Sequence, residues 1–275
     1  AGGTHTCALL NTGAVNCWGN NDFGRLGNGT TVTSSVPVAV NAFIGGAAAV
    51  SITADGSHTC AVLNTGAVNC WGHNRSGQLG NNTTVTSSVP VAVNPFIGGA
   101  TAVSITAGFF HTCALLNTGA VNCWGNNFNE QLGNNSTTDS LVPVAVDAFA
   151  DGTATAASIT AGPEHTCALL NTGAVNCWGY NVDGQLGNNT SDNSLVPVAV
   201  NAFIGGVTAV SITAGYSHTC ALLNTGAINC WGDNSSGQLG NNSLTGSLVP
   251  VAVNPFVAFV ALAPGRLLET RVGEA

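Results

Sequence analysis

Hydrophobic and polar positions alternate along this chain in short runs and never settle into a helical period. In the first such region, Thr6 to Leu10 and Ala14 to Trp18 are rich in strand formers and flank Asn11-Thr12-Gly13. Two short strands around a three-residue loop predict a β-hairpin, with Gly13 supplying the left-handed residue after a type I turn. Counting outward pairs Leu10 with Ala14 and Leu9 with Val15, and sets Cys7 opposite Cys17. If Leu10 and Ala14 form a hydrogen-bonded pair, alternation makes Cys7–Cys17 a non-bonded one, whose Cα atoms approach to about 4.5 Å. A disulfide accepts that spacing.

The hairpin recurs five times, starting at His5, His58, His111, His165 and His218, with a period of 53 residues and one of 54. Each copy carries two cysteines ten positions apart and then Trp-Gly. Ahead of it stands an apolar strand such as Ala49 to Ala54. After it come a polar loop, Trp71 to Gly80, and a further strand, Val89 to Val93, in which Pro90 suits an edge because it cannot donate to a ladder. Four short antiparallel strands per period predict an all-β fold, a β-propeller of five four-stranded blades with one disulfide per blade. A five-blade arc of a larger propeller and a β-solenoid stay open, since radial closure is not written in a sequence. The first copy lacks the Ser-Ile-Thr strand that precedes the other four. Val257 to Leu262 is expected to supply it and clasp the ends. The propeller is expected over 1–263, with 264–275 a tail that resembles the start of a further domain.

Composition narrows the setting. Ten cysteines are expected as Cys7–Cys17, Cys60–Cys70, Cys113–Cys123, Cys167–Cys177 and Cys220–Cys230, which points to an oxidising compartment and an extracellular or cell-surface location. Reduced buried cysteine is the alternative. Zinc fits less well, because its ligand pairs usually stand closer together. Twelve carboxylates face four arginines and no lysine, a net charge of −8. That sign disfavours nucleic acid and anionic membranes as partners. The apolar run 257–263 is too short for membrane insertion. The chain starts inside a repeat with no visible signal peptide, so a processed protein or a fragment is expected.

The motif Ala107-Gly108-x-x-His111, together with Trp71-Gly-x-Asn-x-x-Gly-Gln-Leu-Gly80, resembles the regulator of chromosome condensation repeat. The likeness covers nearly all of residues 1–260. It implies a propeller, usually seven-bladed in that family, whose nuclear member is a nucleotide exchange factor for a small GTPase and binds chromatin. This chain has five copies, Glu130 in place of a Gly and Arg25 in place of a Gln. Its disulfides resemble those of secreted bacterial members, and none of the nuclear protein's functional residues is carried over.

Comparing the copies isolates two variable windows, one before the repeated His and one after Trp-Gly. In an up-and-down blade both lie on one face, opposite the invariant Asn-Thr-Gly turn. Phe23, His73, Arg75, Phe109, Phe110, Phe128, Glu130, Tyr180 and Tyr216 fall in these windows. Exposed aromatics with Arg are what interfaces favour. These nine residues are the candidate binding set, and the expected role is a non-catalytic module recognising an extracellular protein or glycan. The same loops read equally as unconstrained drift on a structural spacer. An extracellular hydrolase or lyase with a site in the central channel is the alternative from another class. No catalytic residue, cofactor or metal is assigned. The repeated His could ring a metal but reads as a structural hydrogen-bonding residue. The repeated Trp could stack on sugars but reads as packing between blades. Asn181-Val182-Asp183-Gly184 lacks the spacing and terminal Glu of a calcium loop.

Overall fold

The computed structural model describes residues 2–254. The first repeat forms three strands, β1 (His5–Leu9), β2 (Val15–Gly19) and β3 (Ser34–Ala39). Each later repeat forms four. The second has β4 (Ala49–Ala54), β5 (His58–Leu63), β6 (Val68–Gly72) and β7 (Ser87–Ala92). The third has β8 (Ala102–Ala107), β9 (His111–Leu116), β10 (Val121–Gly125) and β11 (Ser140–Ala145). The fourth has β12 (Ala156–Ala161), β13 (His165–Leu170), β14 (Val175–Gly179) and β15 (Ser194–Ala199). The fifth has β16 (Ala209–Ala214), β17 (His218–Leu223), β18 (Ile228–Gly232) and β19 (Ser247–Ala252). Every sheet is an antiparallel meander in chain order.

The hairpin register agrees with the sequence expectation. Leu9 pairs with Val15 and Cys7 with Cys17, and the turn closes through Leu10 N–H to Ala14 O and Gly13 N–H to Leu10 O, each 2.9 Å. All five expected disulfides form, at a Cα separation of 4.1 Å, and no cysteine is free. Pro90 lies on β7, the edge strand of its sheet. The strand starts at Ser87, two residues before its expected start, where the Ser87 hydroxyl donates to Val89 O at 2.7 Å. The expected closing strand 257–262 and the tail lie outside the described residues.

The sheets face a shared cavity of about 460 Å³. It is lined by the ends of β4, β8, β12 and β16, through Ala54, Ala107, Ala161 and Ala214, and by Cys7 of the first sheet. Among the described residues the first sheet has three strands and β1 is its edge, which leaves Cys7 facing the cavity. The hydrophobic core is divided among the seams between successive repeats. One such cluster joins Cys60, Val62 and Leu79 of the second repeat to Ala114, Leu116 and Trp124 of the third.

Each seam carries the same polar staple. The His58 ring bonds through Nε2 to Thr112 Oγ1 at 2.7 Å. The Thr112 hydroxyl donates to Gln78 O at 2.9 Å, and Trp124 Nε1–H donates to the same carbonyl at 2.9 Å. Because the Thr proton is committed to the carbonyl, Thr must accept from His, which fixes His58 as the Nε2–H tautomer. The pattern repeats as His5–Thr59, His111–Thr166 and His165–Thr219. Nδ1 of His5, His58, His111 and His165 is left buried without a partner. Protonating it would strand a charge in a dry seam, so burial holds His58, His111 and His165 down at about 3 and His5 at about 4. The repeated His and Trp are thus structural. The glycine of Leu-Gly lies beneath the next repeat's Trp, where a Cβ on Gly80 would come within 2.7 Å of Trp124 Nε1.

Four seams are stapled. Among the described residues His218 has no threonine partner, and Trp18, unlike the fully buried Trp71, Trp124, Trp178 and Trp231, is only half-buried.

Candidate functional site

The polar loop after Trp-Gly is held rigid from inside by one invariant side chain. Asn74 is fully buried. Its Oδ1 accepts from Leu79 N–H at 2.9 Å, while Nδ2 donates to Thr83 O and Val85 O at 2.9 and 3.0 Å. Asn21, Asn127, Asn181 and Asn234 do the same in their repeats. The residues between Trp-Gly and Leu-Gly are therefore free to vary while their backbone stays fixed, the arrangement that favours recognition loops.

Between the first three repeats these loops enclose a cavity of about 570 Å³. Its walls include Phe23, Arg25, His73, Arg75, Phe109 and Phe110. Both variable windows contribute to it, since Gly3-Thr4, Gly56-Ser57 and Phe109-Phe110 precede the repeated His, and the rest follow Trp-Gly. The rings form a chain. His73 meets Phe23 edge-on at 4.6 Å between centroids and Phe110 at 5.7 Å, and Phe110 meets Phe109 at 5.2 Å. Edge and tilted geometries at these distances suit the ring quadrupoles. Ser57 Oγ–H donates to Phe109 O at 3.0 Å, tying the third repeat's window to the second's.

Charge is concentrated here too. Arg25 and Arg75 are the only cationic side chains among the described residues apart from histidine, and both line this cavity. Arg25 takes the place of a glutamine that elsewhere folds back on its own loop, as Gln131 does onto Asn126 and Asn129. It reaches across instead, donating through Nη1 to Thr4 Oγ1 at 2.7 Å and Gly56 O at 3.1 Å, with Cζ 5.3 Å over the Phe23 ring. Its Nε is buried without a partner. Burial lowers the Arg25 guanidinium below its ordinary value, and nearby Asp22 offsets this in part. His73 accepts from Gln78 Nε2 on Nδ1 at 2.8 Å, so its own proton sits on Nε2. Burial, then Arg75 and Arg25, lower its pKa.

Of the nine candidate residues, five converge: Phe23, His73, Arg75, Phe109 and Phe110. Four do not line this cavity. Phe128 stands 80% exposed. Tyr216 lines the cavity that the sheets share, as do Pro163 and Asp55. Tyr180 and Glu130 are partly buried in the fourth and third repeats. Arg25 was absent from the candidate set, although its substitution for the repeated Gln marked it as exceptional. Asp55 was also passed over. It replaces the Gly three residues before the repeated His and, among the described residues, is the one carboxylate lining the cavity that the sheets share, with its pKa raised by burial. Among the described residues no three His, Cys, Asp or Glu side chains are grouped to hold a metal, and no helix is long and apolar enough to cross a membrane.

Repeats of this form, with this seam and this loop, match the RCC1-like domain over residues 1–266. The chain belongs to the RCC1-like domain family. It is 34% identical over 251 residues to the ultraviolet-B receptor UVR8 of Arabidopsis thaliana, covering 91% of this chain and 56% of the receptor. It is 30% identical to the mitochondrial RCC1 domain-containing protein RUG3 of the same plant, covering 99% and 62%. Human HERC2, an E3 ubiquitin-protein ligase, is 28% identical over 88% of this chain and 5% of the ligase. The chain thus spans less than two thirds of these relatives. Human WBSCR16 has a similar structure, with a TM-score of 0.80 at 25% identity over 92% of this chain and 66% of that one. Yeast RCC1 (Prp20) shares the fold at a TM-score of 0.59 and 19% identity, over 94% and 74%.

Proposed function

We propose that this RCC1-like chain is a non-catalytic protein-interaction module, extracellular or at the cell surface, which engages its partner through the variable loop face. The observation that carries this reading is the convergence of Phe23, His73, Phe109 and Phe110 with Arg25 and Arg75 around one cavity. Drifting loops have no reason to bring aromatic rings from three repeats into contact, and a clustered patch suits recognition better than a spacer does. A disulfide in every repeat supports an oxidising compartment. A channel enzyme finds less support, because among the described residues Asp55 has no second carboxylate beside it in the cavity that the sheets share.

On closure, four stapled seams and a His218 unstapled among the described residues favour a five-blade arc of a larger propeller over a ring clasped by 257–262. The binding reading is tested by capture from the native extracellular fluid. Baits carry either Phe23, Phe109 and Phe110 changed to Ser, or Phe128 and Tyr180 changed to Ser. The first bait is expected to lose partners that the wild type and second bait retain. Identical capture by all three removes the loop-face reading.

A further inference from the structure

The cavity has a chemical character at odds with the rest of the molecule. A chain of net charge −8 places both of its described arginines on one aromatic-walled recess. Among the described residues neither guanidinium is hydrogen-bonded to a carboxylate. Arg25, 6% exposed, uses Nη1 on a neutral hydroxyl and a backbone carbonyl, and its Nε, buried without a partner, is an unmet donor. Arg75, by contrast, is exposed at the rim and free to swing onto an incoming anion. Between and below them lie the faces and edges of Phe23, Phe109 and Phe110, each between 37% and 38% exposed.

We propose that this recess binds a peptide segment of a protein partner in which a carboxylate side chain stands next to a large apolar one. The carboxylate is received by Arg25 and Arg75, and the apolar side chain packs on Phe23, Phe109 and Phe110. The proposal rests on the interaction-module reading and names what that module takes. Charge complementarity selects the anion. The acidic remainder of the surface selects against a polyanion, because a strand of phosphates or an anionic bilayer meets repulsion everywhere beyond this recess. The aromatic wall selects against a purely acidic segment, which would leave the rings wet. His73 is fixed by Gln78 with its proton on Nε2, so it adds a neutral donor and no further charge.

The test uses a random dodecapeptide display library panned on the full chain, with counter-selection on the same chain carrying Phe23 and Phe110 changed to Ser. Enrichment of Asp or Glu adjacent to Phe, Trp, Tyr, Leu or Ile is expected. For a selected peptide, changing the acid to its amide should weaken binding about tenfold or more, and R75A should do the same. The two changes together should cost little beyond either alone. Arg25→Gln, which installs the residue that the other repeats carry, should also weaken binding while leaving the melting temperature within a few degrees. Binding of the amide peptide at unchanged affinity, or selection of basic or charge-free sequences, overturns the proposal. So does a selected peptide whose binding survives the Phe23 and Phe110 substitutions. A phosphotyrosine peptide that outcompetes the carboxylate peptide by tenfold also overturns it. None of these results touches the capture experiment above, which depends on the face and not on the ligand's charge.

Discussion

The sequence His-Thr-Cys-Ala-Leu-Leu occurs in the first, third, fourth and fifth repeats, and its burial differs with position. On β9 and β13 all six residues are buried. On β1 only His5 is buried, and on β17 every other residue is open to solvent to some degree. The strands are chemically the same, so the difference comes from their neighbours. A repeat here has little interior of its own, and most of its apolar surface is covered by the next repeat, as in stacked-repeat proteins. Among the described residues the first and fifth copies are therefore less covered than the third and fourth, although their chemistry is the same.

Acid should break this contrast most strongly. The folded state holds His58, His111 and His165 at about 3, well below the ordinary histidine value. The unfolded chain takes up protons that the seams refuse, so stability is fully present above about pH 6.5 and is lost as pH falls toward 3. Each seam histidine contributes up to about 1.4 kcal/mol per pH unit in that window. Urea unfolding between pH 7 and 5, where the carboxylates stay ionised, should show this slope, and His111→Asn should reduce it. A flat profile means the rings take up protons in the fold as readily as in the unfolded chain.

Next in size is the staple. Thr112→Val strands the His58 Nε2 proton and should cost about 1–3 kcal/mol. Thr6→Val, the same change on the unstapled flank, should stay within about 0.5 kcal/mol. Chemical denaturation of the two variants checks the pair, and equal losses would mean that the first repeat is covered after all. Smaller is the effect of Glu130, which holds a left-handed backbone (φ 68°) where Gly77, Gly184 and Gly237 stand in other repeats. Glu130→Gly should raise stability by about 1 kcal/mol, read as a rise in melting temperature. Smallest is an optical difference. Acrylamide should quench Trp18 ahead of the four buried tryptophans, and Trp18→Phe should remove that fraction. No change on substitution would place Trp18 in a sealed seam.

The hairpin, its register and its disulfides were legible because a three-residue turn and period-two alternation leave only one way to pair the strands. The seam was legible only as residue type. His and Thr sit side by side in the sequence, yet His5, His58, His111 and His165 each bond the Thr of the next copy, 54 or 55 residues on. That pairing depends on how the repeats pack. The loop face was partly legible, since alternation assigns a face but no distances. Phe110 finds a ring partner because His73 lies across one seam, and His73 in turn meets Phe23 across another, whereas Phe128 makes no ring contact with the cluster. The two most informative positions, Arg25 and Asp55, were departures from the repeat. Their roles could not be read without knowing what each side chain reaches.

Each sulfur bridge opens and closes inside a single hairpin, and none crosses a repeat boundary. As the chain is synthesised, both thiols of a bridge emerge within one short length and can be oxidised before the next pair appears, which keeps wrong partners rare. Over evolutionary time the same arrangement lets a gene gain or shed a whole cassette without leaving an odd thiol behind.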